Sequence, residues 1–185
     1  MKIGIDLDST IAKIDTVWLG RLKRACGTNY TPNDWTDWEL SFLTKEERAK
    51  FFALFTPNIY EEVEPYPHAA EAIEKLSRIC GAKLVCVTTN PSKDGTAFSE
   101  AKRKWLTKNV PSLASSVIFS KTKFGLGLDV LVDDAPQHFG LVDYIPVLVE
   151  RPWNTRVNCS RRFSDWREGE RMLLSLICRE NNMMV

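Results

Sequence analysis

The chain has no excess of one charge. Its 25 Lys+Arg face 24 Asp+Glu, a formal net of +1. A surface built for a polymeric polyanion carries surplus base, so polymeric nucleic acid is not an expected partner. No apolar run approaches the roughly 18 residues of a membrane span, so none is expected. The opening Met1-Lys2-Ile3-Gly4-Ile5-Asp6 puts an acid where a signal peptide needs a long apolar stretch. The five cysteines are odd in number and form no Cys-x-x-Cys pair. They read as reduced thiols of a cytoplasmic protein, not as a disulfide framework or a zinc site. Without a secretion signal, Asn29-Tyr30-Thr31 and Asn158-Cys159-Ser160 match the glycosylation pattern by chance. Repeats, low-complexity tracts and a P-loop are all missing, and Gly125-Leu126-Gly127 is too short for a dinucleotide fingerprint. Ser120-Lys121-Thr122-Lys123 matches Ser-x-x-Lys, but it follows a strand and lacks the partner motifs. The two histidines, His68 and His138, show no partner pattern and read as surface or core residues.

What is present is an ordinary folded composition, 44% apolar and 26% charged. Five short apolar runs read as buried strands: 2–7, 83–87, 117–119, 130–132 and 146–149. Helical spacing fills the intervals at 69–79, 96–108 and about 164–179. Such alternation predicts an α/β fold, a mostly parallel sheet covered on both faces. On the helix over 96–108, Phe98, Ala101, Trp105 and Leu106 form the apolar side. Lys102, Arg103, Lys104 and Lys108 read as its solvated face. The first two strands stand more than seventy residues apart, far beyond a single crossover. The excess is rich in Trp and Phe, and Thr44-Lys45-Glu46-Glu47 signals a capped helix running to about Phe55. The spacing therefore predicts a helical lobe over 14–64, inserted into a core made of 1–13 and 65–185.

In open parallel sheets, ligands bind beyond the carboxyl ends of the strands. Asp6, Asp8, Thr88, Lys123, Asp133 and Asp134 all fall there. Four converging carboxylates repel one another, and a divalent cation offsets that repulsion. All-oxygen ligands favour Mg²⁺ over a transition metal. Lys123 and the Thr88 hydroxyl remain for the anionic oxygens of a substrate. A cation, a lysine, a hydroxyl and an exposed carboxylate suit phosphoryl transfer, with one carboxylate attacking and the other shuttling a proton.

This ordered set, Asp6-Leu7-Asp8-Ser9-Thr10, Thr88, Lys123 and Asp133-Asp134, resembles the four-motif signature of the haloacid dehalogenase (HAD) superfamily. The fold implied is a Rossmann-like core with a small helical cap after strand one. Within the superfamily the chain resembles the 5'(3')-deoxyribonucleotidases, including bacterial and phage members. The resemblance rests on Thr31 to Leu40, Tyr60 to Pro67, Lys121-Thr122-Lys123, and Glu150-Arg151-Pro152-Trp153-Asn154. It implies a cytoplasmic enzyme of a bacterium or a phage-infected cell, hydrolysing a nucleoside monophosphate through an aspartyl-phosphate. Asp6 is then nucleophile and metal ligand. Asp8 is the general acid/base and binds Mg²⁺ through its carbonyl. Thr88, Thr89 and Lys123 hold the phosphate, while Asp134 binds Mg²⁺ directly and Asp133 through water. The chain departs from the family pattern at Ser9, often Gly, and at Ile14, often an aromatic of the base pocket. Trp35 and Trp38 in the cap are candidates for stacking the base, with ordinary lobe core as the alternative, while Trp18 reads as lobe core. Arg151 and Arg156 read as loop braces, with contact to the substrate as the alternative. Another small phosphate ester, such as a sugar phosphate, stays open as substrate, as does an idle binding protein. The oligomeric state, a homodimer included, also stays open.

Overall fold

The computed structural model describes residues 1–91, 95–140 and 142–183. Six strands form one parallel sheet: β1 (Lys2–Ile5), β2 (Lys83–Thr88), β3 (Val117–Phe119), β4 (Val130–Asp133), β5 (Ile145–Val149) and β6 (Arg162–Phe163). Their order is β3-β2-β1-β4-β5-β6. β1 lies between β2 and β4, with Ile3 opposite both Leu84 and Val130. The chain thus winds outward in both directions from β1, which puts the topological switch at its carboxyl end.

Both faces of the sheet are buried, which explains the uninterrupted apolar runs. On one face Ile3, Ile5, Cys86, Val130 and Val132 pack with three helices. These are α3 (Ala69–Leu76), α4 (Gly95–Asn109) and α6 (Trp166–Met183), supplying Ile73, Phe98 and Leu173 among others. On the opposite face Val85, Val87 and Leu131 meet Leu128 and Tyr144. Gly4 belongs to that second face. A Cβ there would sit 2.7 Å from a Leu128 methyl carbon, so the crossing admits no side chain. A one-turn helix, α5 (Pro111–Ala114), leads into β3.

The excess length between the first two strands forms a helical lobe with α1 (Ile14–Cys26) and α2 (Lys45–Ala53). The predicted capping box opens α2: Glu47 N–H donates to Thr44 Oγ1 at 3.2 Å, and Thr44 N–H donates to Glu47 Oε2 at 2.9 Å. The lobe has its own aromatic core. Trp18 stacks on Phe51 with ring centroids 3.9 Å apart, and Trp35 meets Phe51 edge-on. The chain leaves and returns side by side, where Lys13 N–H donates to the Glu64 carbonyl and Tyr66 N–H to that of Ile11. Beside this crossing, Arg21 is a buried strut, donating to Glu62, the Leu54 carbonyl, Thr56 and Asn58.

Three details differ from the sequence reading. β1 stops at Ile5 because the chain turns at once: Ile11 and Ala12 N–H both donate to the Leu7 carbonyl. α3 ends at Leu76, after which Arg78 and Ile79 N–H close 3-10-type bonds to the Lys75 and Leu76 carbonyls. β6 was not expected, because a two-residue edge strand beginning with Arg162 carries no apolar run. Among the described residues no helix is long and apolar enough to cross a membrane.

Candidate active site

The loop after β1 builds the floor of the site. Ser9 adopts a left-handed backbone with φ 58°. A Cβ-bearing residue pays about 1–2 kcal/mol for that conformation. The surroundings enforce it: Ser9 N–H donates to the Ala12 carbonyl, and the Ser9 carbonyl accepts from Arg151 Nε at 2.7 Å. Arg151 also lies 3.7 Å over the Tyr66 ring. It is the loop brace the sequence suggested, whereas Arg156 is exposed.

Asp6, Asp133 and Asp134 are buried together, with one carboxylate oxygen from each within 4.8 Å of the others. Lys123, 1% exposed, stands among them. It donates to Asp6 Oδ1 at 2.5 Å and to the Val87 carbonyl, and lies 3.1 Å from Asp133 Oδ2. Burial works against its charge, but Asp133 and Asp6 more than offset this and hold the ammonium above its usual range. Asp6 shows the opposite balance. Burial pushes its carboxyl up to about 6; Lys123 resists, while Asp133 and Asp8 add to the rise. Burial and the neighbouring Asp133 and Asp6 also raise Asp134 well above the carboxylate range. Asp133 is the exception. Burial raises it, yet Lys123 and His138 outweigh burial and hold it low.

The two adjacent aspartates differ in what they offer. Asp133 is held on all sides: Oδ1 accepts from Ala135 N–H, and Oδ2 pairs with His138 Nδ1 at 2.9 Å as well as with Lys123. Asp134 is anchored by Thr10 Oγ1 on one oxygen and Trp153 Nε1 on the other, each at 3.0 Å. Both donors are neutral, and the Arg151 charge does not offset burial and the neighbouring carboxylates. Three hard oxygen donors with a net negative charge fit a divalent cation such as Mg²⁺. Asp6 and Asp134 would hold it, with Asp133 behind them.

Thr88 ends β2, fully buried, facing Asp8 across the floor. Thr89 is exposed at the cavity, and its hydroxyl donates to the Ser120 carbonyl at 2.9 Å. Above the floor opens a cavity of about 400 Å³. Asp6, Asp8, Thr88 and Thr89 line its base, and Trp18, Trp35, Trp38, Phe51, Phe52 and Phe55 its walls. The two predicted stacking residues separate here. Trp38 is 42% exposed at the cavity, whereas Trp35 is 7% exposed and packs on Trp153 with centroids 4.7 Å apart. Ile14 lines the same space, and exposed Phe52 adds an aromatic surface that the sequence did not single out.

One prediction fails. Lys102 is not on a solvated face. It is completely buried, and its ammonium reaches Asp8 Oδ2 at 2.8 Å, Thr88 Oγ1 at 2.8 Å and the Thr89 carbonyl at 2.6 Å. Its neighbours Arg103, Lys104 and Lys108 are exposed as expected. The signal was present: Phe98, Lys102, Trp105 and Leu106 follow i, i+4, i+7, i+8 spacing, which puts the lysine inside the apolar stripe. Tyr60 was likewise unforeseen; its hydroxyl donates to Asp8 Oδ1 at 2.6 Å. His138 has a partner after all, and Trp153 supports the Asp134 carboxylate, neither of which spacing alone reveals.

A parallel sheet, an acid floor and a lobe after the first strand define a HAD-type fold. The chain is similar to a haloacid dehalogenase-like hydrolase from Streptococcus pneumoniae: TM-score 0.61, 12% identity, 95% of this chain and 97% of that one. It is similar too to a HAD-hydrolase from Bacillus subtilis whose structure holds magnesium: TM-score 0.57, 13% identity, covering 93% and 97%. The family described as 5' nucleotidase, deoxy (pyrimidine), cytosolic type C protein matches residues 1–180, and the chain belongs to it. A 5'(3')-deoxyribonucleotidase from Clostridium acetobutylicum is 27% identical over 177 residues, 94% of this chain and 95% of that protein. The chain is therefore a phosphoric monoester hydrolase of the HAD type.

Proposed function

We propose that the protein hydrolyses a (deoxy)nucleoside monophosphate, with Mg²⁺ as cofactor and Asp6 as nucleophile. One observation carries the reading: Asp6, Asp8, Thr88 and the Asp134 pair share the floor of a cavity whose walls are aromatic. An anionic phosphoryl group fits the floor, and a flat base fits the walls.

Lys123 binds Asp6 Oδ1 and orients the carboxylate, which is mostly ionised at neutral pH with its pKa near 6. Asp6 attacks phosphorus as the bond to the nucleoside oxygen breaks. Asp8 gives its proton to that leaving oxygen. Water then attacks the aspartyl-phosphate, returns a proton to Asp8, and releases inorganic phosphate with Asp6 regenerated. The Thr88 hydroxyl and Lys123 hold the phosphoryl oxygens; Thr89 lies beside them. A bound Mg²⁺ supplies charge neutralisation for the phosphoryl oxygens and for the acid cluster.

The aromatic walls favour nucleotides over sugar phosphates. The test is a phosphate-release panel with Mg²⁺, comparing 5'- and 3'-(deoxy)nucleoside monophosphates with sugar phosphates. Faster turnover of sugar phosphates would replace this reading. No release from any ester would revive a binding role.

A further inference from the structure

We propose that Lys102 is a positioning residue for the reaction: it fixes the Asp8 carboxylate for proton delivery and aims the Thr88 hydroxyl at the phosphoryl group. The inference rests on the reading of Asp8 as the acid/base.

An isolated ammonium is costly to bury and persists only when its donors are satisfied. Lys102 meets that demand completely. An ammonium has three N–H donors, and this one has three acceptors within 2.8 Å: Asp8 Oδ2, Thr88 Oγ1 and the Thr89 carbonyl. All three donors are engaged within the protein, as are those of Lys123 by Asp6, Asp133 and the Val87 carbonyl. Lys123 differs in standing among the carboxylates of the acid cluster.

The three acceptors say what the lysine does. Thr88 Oγ1 accepts from the ammonium, so its own hydrogen turns away from Lys102 and is available to a phosphoryl oxygen. Asp8 Oδ2 is pinned by Lys102 and Oδ1 by Tyr60, which fixes the plane of the carboxylate. Lys102 comes from α4, packed in the core, and Tyr60 from the returning end of the lobe. The acid/base is thus held between the two parts of the protein. The buried face of α4 contributes the rigid half, with Phe98, Trp105 and Leu106 beside the lysine at 3% exposure or less.

The test uses the leaving group. A nucleoside alkoxide must be protonated as it leaves, whereas p-nitrophenolate leaves unassisted. In the full-length protein with Mg²⁺, Lys102→Met is expected to lower kcat/KM for a deoxynucleoside monophosphate about 100-fold, the low end for a lost general acid. For p-nitrophenyl phosphate the loss is expected to stay below about 5-fold, the residue of a less well aimed Thr88. Retained turnover of the aryl ester also certifies that the variant is folded. If the Met variant fails to fold, Lys102→Arg keeps the charge but not the geometry, and the same ratio is read. Equal losses on both esters, or no loss on the nucleotide, would overturn the positioning role while leaving the phosphatase reading intact. A wild-type protein inactive on both esters would overturn the two together.

Discussion

Asp6→Asn is expected to abolish turnover and, without metal, to raise stability. Burial and the neighbouring Asp133 and Asp8 lift the Asp6 carboxyl from 3.8 to about 6, even with Lys123 pulling the other way. The folded protein therefore holds protons more tightly than the unfolded chain, and its stability falls as pH rises through that window. Integrating between the two values gives a cost of about 1 kcal/mol at pH 4.5 and about 3 kcal/mol above pH 7. Asparagine resembles the protonated acid and does not titrate, so it escapes this cost. Lys123 keeps Asp133 and the Val87 carbonyl as partners in the variant. At 2–4 °C per kcal/mol for a chain of this size, Asp6→Asn should melt roughly 6–12 °C above wild type at pH 8 in EDTA. The gap should shrink to a few degrees near pH 4.5. Mg²⁺ should close or reverse it, because only wild type offers the cation a full acid cluster. Calorimetry across pH, with EDTA and with Mg²⁺, reads all three effects. A variant that melts below wild type in EDTA at pH 8, or a gap that grows as pH falls, would refute the electrostatic argument. Retained turnover would refute the nucleophile assignment.

EDTA is expected to stop phosphate release and Mg²⁺ to restore it; restoration by neither Mg²⁺ nor another hard divalent ion would count against the acid cluster as a metal site. Trp153→Phe removes the donor to Asp134 Oδ2. It should weaken Mg²⁺ binding about 10-fold, read as a smaller Mg²⁺-induced rise in melting temperature. Trp38→Ala should raise KM for nucleotides about 10-fold, the value of one stacked base, and leave p-nitrophenyl phosphate unchanged. Phe51→Ala empties a fully buried site between Trp18 and Trp35 and should cost about 3–5 kcal/mol in chemical denaturation.

The sheet was legible because the inner strands β1, β2, β4 and β5 are largely buried and apolar, and even the half-buried edge strand β3 is apolar throughout. The acid floor was legible because it lies at strand ends, where chain order fixes spatial order: Asp6 after β1, Thr88 at the end of β2, Asp133 at the end of β4. The lobe was legible as an excess of chain holding a capping box. Residues whose role depends on lateral reach were not. Tyr60 lies 52 positions from Asp8, and Trp153 reaches Asp134 from a turn after a different strand. Lys102 was misread for another reason. A cluster of four basic residues on one helix suggests a solvated face, and only the register of Phe98, Trp105 and Leu106 places one of the four in the apolar stripe.

The aromatic lobe shows where reading by residue type reaches its limit. Stacking platform and lobe core were posed as alternatives for Trp35, yet the structure gives it both positions. It is buried against Trp18 and Phe51, it borders the cavity, and its ring rests on Trp153. Trp153 in turn holds the buried Asp134 carboxylate through its indole N–H. A continuous chain of ring contacts thus runs from the lobe core to the acid cluster. Close-packed side chains shift together, not singly. A displacement of the lobe that moves Trp35 must therefore also disturb the indole that orients Asp134. The aromatic wall of the cavity and the Asp134 carboxylate are supported by the same pair of indoles, so losing either ring should affect both the cavity and the acid floor.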